Sequence, residues 1–188
     1  MTFIKGQSCE LRAWEDADNE PFTKAVNAGL TTQHLFTGSV PMRTADYASR
    51  FQKMQEKGDV LFGIWAYPVI DTRIGGLIGQ CGLHDHRDIY KSWEARFLIF
   101  DADAVGKGIG KEVVRMLTSY CFTRLNAHRV WLGVSEANIR AVKCYLDAGY
   151  QLEGRLRDEV FYEGKYHAVL RMGALQNEWT SPSSVKAE

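Results

Sequence analysis

What the chain lacks narrows its chemistry first. It has no surplus of either charge, with 23 Lys and Arg against 23 Asp and Glu in 188 residues. A general nucleic-acid binder normally carries a basic excess, so this balance argues against that class while leaving room for a local patch. Long apolar runs are also missing. Stretches such as Val60–Trp65 and Phe97–Phe100 fall far short of the roughly 20 residues that span a bilayer. Met1–Glu10 carries no apolar core of a secretory signal. No membrane association is expected, and a cytoplasmic location is the default. Cys9, Cys81, Cys121 and Cys144 are scattered, without any C-x-x-C pair. They read as reduced, mostly buried thiols rather than a disulfide framework. His84 and His86 share one face of a strand, but no third ligand lies at a telling distance, so no metal is expected.

What is present alternates between strands and helices. Cys9–Trp14 reads as a first strand, and Glu15–Asp18 opens a helix through about Ala28. Thr44 or Asp46 is placed to cap a second helix bearing Tyr47, Phe51 and Met54 on one face and ended by Gly58. Val60–Tyr67, Ile74–Leu83 and Trp93–Phe100 are strands, with Pro68–Arg73 a turn and Asp85–Ser92 a polar hairpin loop. Lys111–Asn126 is a helix whose stripe runs through Val113, Met116, Leu117, Tyr120, Cys121 and Leu125. His128–Val134 is a strand, Asn138–Ala148 a helix with Gly149 at its left-handed cap, and Tyr150–Glu153 the start of another strand. Asp158–Tyr162 and Tyr166–Met172 flank Glu163-Gly164-Lys165 as a hairpin. This order predicts an α/β (α+β) fold, a mixed, mostly antiparallel central sheet flanked by helices. Residues 1–179 read as one domain, and 180–188 as a Ser-rich tail expected to fray.

The most informative segment is Val105-Gly106-Lys107-Gly108-Ile109-Gly110-Lys111, between a strand and an amphipathic helix. Glycines let the backbone bend tightly and approach a ligand. The free amides of a helix's first turn then converge on an anion, aided by the helix dipole and by Lys107 and Lys111. Pyrophosphate is the expected guest. A Walker A loop needs Gly at 105 and Ser or Thr at 112, where Val105 and Glu112 stand. A dinucleotide fingerprint needs Gly at 111, where Lys111 stands, and normally opens the first βα unit of a fold. A glycine-rich turn with no ligand is the plain alternative.

The loop resembles the acetyl-CoA pyrophosphate loop of the GNAT superfamily of N-acetyltransferases, Gln/Arg-x-x-Gly-x-Gly/Ala. Gly108 and Gly110 match its glycines, while Val105 departs from the Gln/Arg and Ala102 from a frequent Pro. The stretch His128–Val134 followed by Asn138-x-x-Ala141-x-x-x-Tyr145-x-x-x-Gly149-Tyr150 resembles the family's next strand and helix. Glu153-Gly154-Arg155-Leu156-Arg157, Gly164–His167 and Leu170–Met172 look like the C-terminal hairpin of the ribosomal-protein N-acetyltransferase-like branch. Together these motifs cover about Trp93 to Leu175.

The resemblance implies a GNAT-like fold, acetyl-CoA as donor substrate, and direct attack by a primary amine on the thioester. The amine is a peptide N-terminus or a small molecule such as an amino sugar or polyamine, with a slight lean to the peptide. It places the pantetheine at Leu98, Ile99 and Phe100, and the pyrophosphate on the amides of Val105 to Lys111. Asn138 lies near the donor in the family; as a helix N-cap it has an equally good structural role. Tyr145 is the family's general acid, a phenol positioned to protonate the departing thiolate; a core tyrosine is the alternative. Some relatives carry a glutamate where this chain has Gly133. Glu94 is then the first choice for accepting the amine proton, with Asp85 or His84 as substitutes. An ion pair with Arg96 is the plain reading of Glu94. His34, Phe36, Tyr90, Trp93 and Tyr162 are candidates to line the acceptor pocket. Asp85 and Asp88, beside His86 and Arg87, make no dense acidic cluster. A non-catalytic acyl-CoA-binding module and a nucleotide-phosphate enzyme are the rival classes, and a monomer or homodimer is expected.

Overall fold

The computed structural model describes residues 2–28, 41–67, 75–162, 164–180 and 186–187, with the backbone alone at 2, 85–88, 186 and 187. One sheet organises them. Its strands are β1 (Thr2–Lys5), β2 (Cys9–Ala13), β3 (Val60–Ala66), β4 (Gly76–Arg87), β5 (Ser92–Ile99), β6 (Arg129–Ser135), β7 (Gln151–Tyr162), β8 (Lys165–Leu175) and β9 (Lys186–Ala187). Their spatial order is β7-β8-β6-β5-β4-β3-β2-β1-β9, and only β5 and β6 run parallel. Four helices cover it: α1 (Asn19–Asn27), α2 (Thr44–Glu56), α3 (Ile109–Arg124) and α4 (Ile139–Ala148).

Alternation along each strand sends side chains to two cores. Leu11, Phe62, Ile64, Cys81, Leu83, Val130, Leu132 and Met172 join the α3 stripe of Val113, Met116, Leu117 and Cys121 in the larger one. Across the sheet, Leu61, Leu98 and Phe100 meet Phe22 of α1 and Tyr47 and Phe51 of α2. Phe22 is the hub there, in edge-to-face contact with Trp14, Tyr47, Phe51 and Phe100 at centroid distances of 5.4, 5.4, 5.3 and 6.1 Å. Such pairs contribute about 0.5–1.5 kcal/mol each beyond the area they bury.

Several element boundaries differ from the sequence reading. β1 precedes the expected first strand, closed onto β2 by a tight turn in which Gly6 donates to the Cys9 carbonyl. The lone capping residue expected for α2 is instead a pair: Arg43 is the N-cap, and Asp46 accepts from its backbone and guanidinium. β4 continues through the polar run to Arg87, so the expected 85–92 loop shrinks to a turn at Asp88–Lys91. β7 is one long strand, irregular between Leu152 and Gly154 and between Leu156 and Val160. The tail expected to fray ends in β9, which pairs Lys186 and Ala187 with Lys5 and Ile4 and so covers an otherwise open edge. The Pro68–Arg73 turn and Glu163 lie outside the described residues.

Candidate active site

The glycine loop begins where β5 ends. Ala104 and Val105 donate to the carbonyls of Asp101 and Ala102, forming a turn. The Val105 amide, expected to meet phosphate, is therefore already used. The chain then passes through Gly106 at φ +79° and Gly108 at φ +83°, conformations that side-chain-bearing residues rarely adopt. Gly108 is the N-cap of α3, with no side chain capping the helix. Among the described residues, none of the amides from Gly106 to Lys111 has an acceptor; the first helical bond runs from Glu112 to the Gly108 carbonyl. A Cβ at Gly106 or Gly108 would meet nothing within 4 Å, so the cradle is open. The one acid of this turn is drawn away, because Glu112 accepts from the Gln7 and Ser8 amides of the β1–β2 turn. Open amides, a helix N-terminus, Lys107 and Lys111 together fit a pyrophosphate.

The second feature is a split in the sheet. β5 and β6 pair at only three positions, Ser92 with Arg129, Trp93 with Val130 and Glu94 with Trp131. Beyond them the two strands have no common register, so β5 from Ala95 to Ile99 has a free edge. Phe100 gives its amide to Ile78 of β4, and alternation then turns Leu98 to β4 as well and directs Phe97 and Ile99 into the split. Of the three pantetheine positions expected, only Ile99 thus presents its backbone. Leu98 and Phe100 are occupied on the β4 side, and Phe97, not named from the sequence, is the other residue whose backbone faces the split. Extended amides facing an unpaired strand edge provide what a β-alanine and pantoate amide chain needs.

Helices α3 and α4 flank the split on the large-core side. A Cβ at Gly110 would lie 3.5 Å from the Phe97 ring, 3.6 Å from Cys144 Sγ and 3.7 Å from Ile99 Cδ1, so this glycine lets α3 sit close to both. Tyr145 of α4 packs edge-on against Phe97 with centroids 5.6 Å apart and is 7% exposed. Tyr150 lies beside it at 6.1 Å, but its hydroxyl is bound to Thr118 Oγ1 at 2.7 Å. No described residue binds the Tyr145 hydroxyl. Burial, reinforced by the neighbouring Cys144, pushes the Tyr145 phenol upward, so it keeps its proton throughout the neutral range. Asn138 caps α4 by accepting from the Ala141 amide at 3.2 Å, which leaves its NH2 as the side that can face a ligand.

The opposite face of the split is polar. Glu94 occupies the last paired position before the strands part, on the α1–α2 side. Its side chain is only 12% exposed and pairs with Arg96 at 2.7 Å. Trp131 is its neighbour on β6, with the Arg171 guanidinium 4.0 Å above the indole. His84 stands opposite Glu94 on β4. Gly133 is in register with Arg171. The pocket residues named from sequence do not all gather here. Trp93 points into the large core at 6% exposure, one strand position out of phase with Glu94. Tyr90 is exposed in the β4–β5 turn, and Tyr162 stacks on His167 at 3.8 Å on the hairpin. His34 and Phe36 lie outside the described residues, as do the side chains of Asp85, His86, Arg87 and Asp88. Among the described residues, no cluster of three His, Cys, Asp or Glu is placed to hold a metal, and no helix is long and apolar enough to cross a membrane.

Residues 9–151 match the family model for the acetyltransferase (GNAT) domain. The chain belongs to the GNAT acetyltransferase family. The spermidine N(1)-acetyltransferase of Vibrio cholerae is 33% identical over 115 residues, 61% of this chain and 66% of the relative. The aligned stretch thus spans just under two thirds of that relative's length. A crystal structure of the V. cholerae spermidine N-acetyltransferase with CoA and spermine superposes with a TM-score of 0.79, at 26% identity over 92% of this chain and 98% of that one. The probable N-acetyltransferase YjcK of Bacillus subtilis is 30% identical, covering 89% of this chain and 94% of its own length. The putative ribosomal N-acetyltransferase YdaF of B. subtilis is 28% identical over 56% of this chain and 57% of its own, in keeping with the branch read from the C-terminal half. GNAT membership carries the class of chemistry, acetyl transfer from acetyl-CoA to an amine, and the mostly antiparallel sheet with its flanking helices is the GNAT fold.

Proposed function

We propose that this GNAT protein acetylates a primary amine that enters from the α1–α2 face of the split, with Glu94 taking the proton of the incoming ammonium and Tyr145 giving one to the departing sulfur. The observation that carries the proposal is the placement of these two side chains on opposite faces of one opening, beside the parallel pair of β5 and β6. Acetyl-CoA supplies the acetyl group as a thioester. The amides from Gly106 to Lys111 hold its diphosphate end, and Phe97 and Ile99 offer backbone partners for its pantetheine arm. An alkyl ammonium has a pKa near 10, so it must lose a proton before its nitrogen has a lone pair to attack with. Glu94 stands at the last paired position of β5 and β6, at the apex of the split. Tyr145, sealed against Phe97 and kept protonated by burial, supplies a hydrogen bond and then a proton as negative charge develops on sulfur.

The acceptor we assign first is a small aliphatic polyamine of the spermidine class, from the likeness to the V. cholerae enzyme in sequence and fold. A peptide N-terminus is the second reading. It is favoured by the likeness to YdaF and by the charge balance of the polar face, where Glu94 pairs with Arg96 and Glu153 with Arg129. A floor so neutralised suits one ammonium better than several. Free-thiol release from acetyl-CoA across spermidine, spermine, an aminoglycoside and short peptides with free N-termini separates them. The polyamines are expected to give the highest kcat/KM. A preference for peptides would transfer the assignment to the second reading, and no thiol release from any amine would overturn catalysis altogether.

A further inference from the structure

One buried titratable group remains without a task. His84 is 4% exposed, yet it sits on the polar face of β4, directly opposite Glu94 of β5. Cross-strand partners of this kind have Cβ atoms about 5 Å apart. The imidazole leans back along its own strand: a Cβ at Gly82 would fall 2.9 Å from Nε2, so the glycine keeps that side of the ring clear. Its other nitrogen, Nδ1, lies 3.0 Å from Asp59 Oδ2. That contact has ion-pair distance but is off the N–H axis, so the buried Nδ1 has no aligned hydrogen bond until the carboxylate turns slightly. Asp59 belongs to the turn between α2 and β3, and its side chain is 16% exposed, in touch with solvent. The described charged groups facing His84 are Asp59 from that turn and Glu94 and Arg96 from β5. A carboxylate that is deeply set in an active site, a ring behind it, and a second carboxylate at the surface form a row.

We propose that His84 and Asp59 are positioning residues that carry the amine's proton from Glu94 to solvent. The proposal rests on Glu94 as the acceptor of that proton. Transfer of an acetyl group to an ammonium releases one net proton: one N–H bond breaks to give Glu94 its proton, a second breaks as the amide forms and its proton restores the Tyr145 phenol that protonated the sulfur, and the buried Glu94 acid must lose its proton before the next turnover. His84 receives it at Nε2, and the ring passes its Nδ1 proton to Asp59 and thence to water. The ring then returns to its Nδ1–H form by exchange with solvent. Burial lowers the affinity of His84 for a proton, with Arg96 acting in the same sense and Asp59 opposing. The ring therefore rests neutral, with a lone pair free to receive. The row gives a task to a buried histidine where a leucine would pack with no unpaired nitrogen.

Two measurements test the relay. Nitrogen-15 NMR of the histidine ring needs no turnover; His84 is expected neutral at pH 7 with its proton on Nδ1. A proton on Nε2 would overturn the relay, since that nitrogen then has no lone pair with which to receive one. The second measurement is the pH profile of kcat/KM for the best amine of the acceptor panel, in Glu94→Gln, His84→Gln and Asp59→Asn. Asp59→Asn is the control for folding, being nearly isosteric and close to the surface. Loss of proton relay is expected to lower kcat/KM about tenfold at pH 7 in His84→Gln and Asp59→Asn. The deficit is expected to shrink to threefold or less by pH 9.5, as more amine arrives already neutral. A deficit independent of pH would mean a structural role and would overturn the proposal. Full activity in both relay variants with a large loss in Glu94→Gln would overturn the relay and leave Glu94 standing. No loss in Glu94→Gln would remove Glu94 itself.

Discussion

Replacing Gly108 by valine tests the cradle on which donor binding depends. Gly108 sits at φ +83° and ψ −10°, the left-handed region, as the residue immediately before α3. An L-residue there costs about 1–2 kcal/mol, and a β-branched one more. The added Cβ has nothing within 4 Å, so the folded chain has no clash to relieve and the penalty is backbone strain. The simplest relief swings φ negative, which rotates the amides around Gly108 out of their common direction. Each charge-assisted hydrogen bond lost is worth about 1.5–3 kcal/mol, so one lost bond predicts a roughly 10- to 150-fold weaker acetyl-CoA. If the strain is instead retained, the valine methyls occupy the space a phosphate must enter, and the direction is the same. Calorimetric titration of acetyl-CoA gives Kd. Acetyl-pantetheine, which lacks the diphosphate, is the control and is expected to keep its kcat/KM within about twofold of the parent. The melting temperature is expected to fall by about 2–4 °C per kcal/mol of retained strain. Acetyl-CoA affinity within twofold of the parent would refute the cradle, as would an equal loss with acetyl-pantetheine.

Other consequences are as direct. Tyr145→Phe removes a hydroxyl but little volume, and is expected to lower kcat about 100-fold while changing acetyl-CoA Kd less than threefold; single-turnover and equilibrium titrations separate the two. Cys9, Cys81 and Cys121 are buried thiols whose pKa values burial raises. Above about pH 8.5 the unfolded chain releases those protons while the native one holds them, so stability is complete below that pH and falls as pH rises. Three such groups give a limiting slope of roughly 4 kcal/mol per pH unit, read from urea unfolding between pH 8 and 10; a flat profile would contradict the burial of these thiols. Cys144 is the one cysteine with partial exposure, and burial pushes its thiol up to about 11. Native alkylation by iodoacetamide is expected to be slow, confined to Cys144, and slower still with acetyl-CoA present, because Sγ adjoins the Gly110 wall of the split; mass spectrometry of the alkylated chain reports it.

The parts of this site legible in the sequence are those whose chemistry is local. Gly106 and Gly108 announce positive φ, Asn138 and Gly149 bracket α4, and the stripe from Val113 to Cys121 fixes the side of the sheet that α3 covers. Each signal lies within a few residues of the feature it encodes. The split is different in kind. It arises because β5 and β6 register at Ser92–Glu94 and no further, and pairing between residues 37 positions apart leaves no mark in the composition of either strand. Position on the strand face was equally hidden. Trp93 and Glu94 are adjacent in sequence, yet one is core and the other lies at the apex of the opening, a consequence of which strand residue meets Val130. The polar run after Leu83 reads as loop for a related reason. Loop chemistry and an open sheet face both favour His, Asp and Arg, and only pairing of Arg87 with Ser92 tells them apart. His84 sits at that boundary, where a sequence shows a polar residue and the fold shows a buried ring between two carboxylates. Local codes thus specify where the donor is held, whereas the acceptor side is assembled from registers, and that is why the donor was the part of the chemistry readable before the fold.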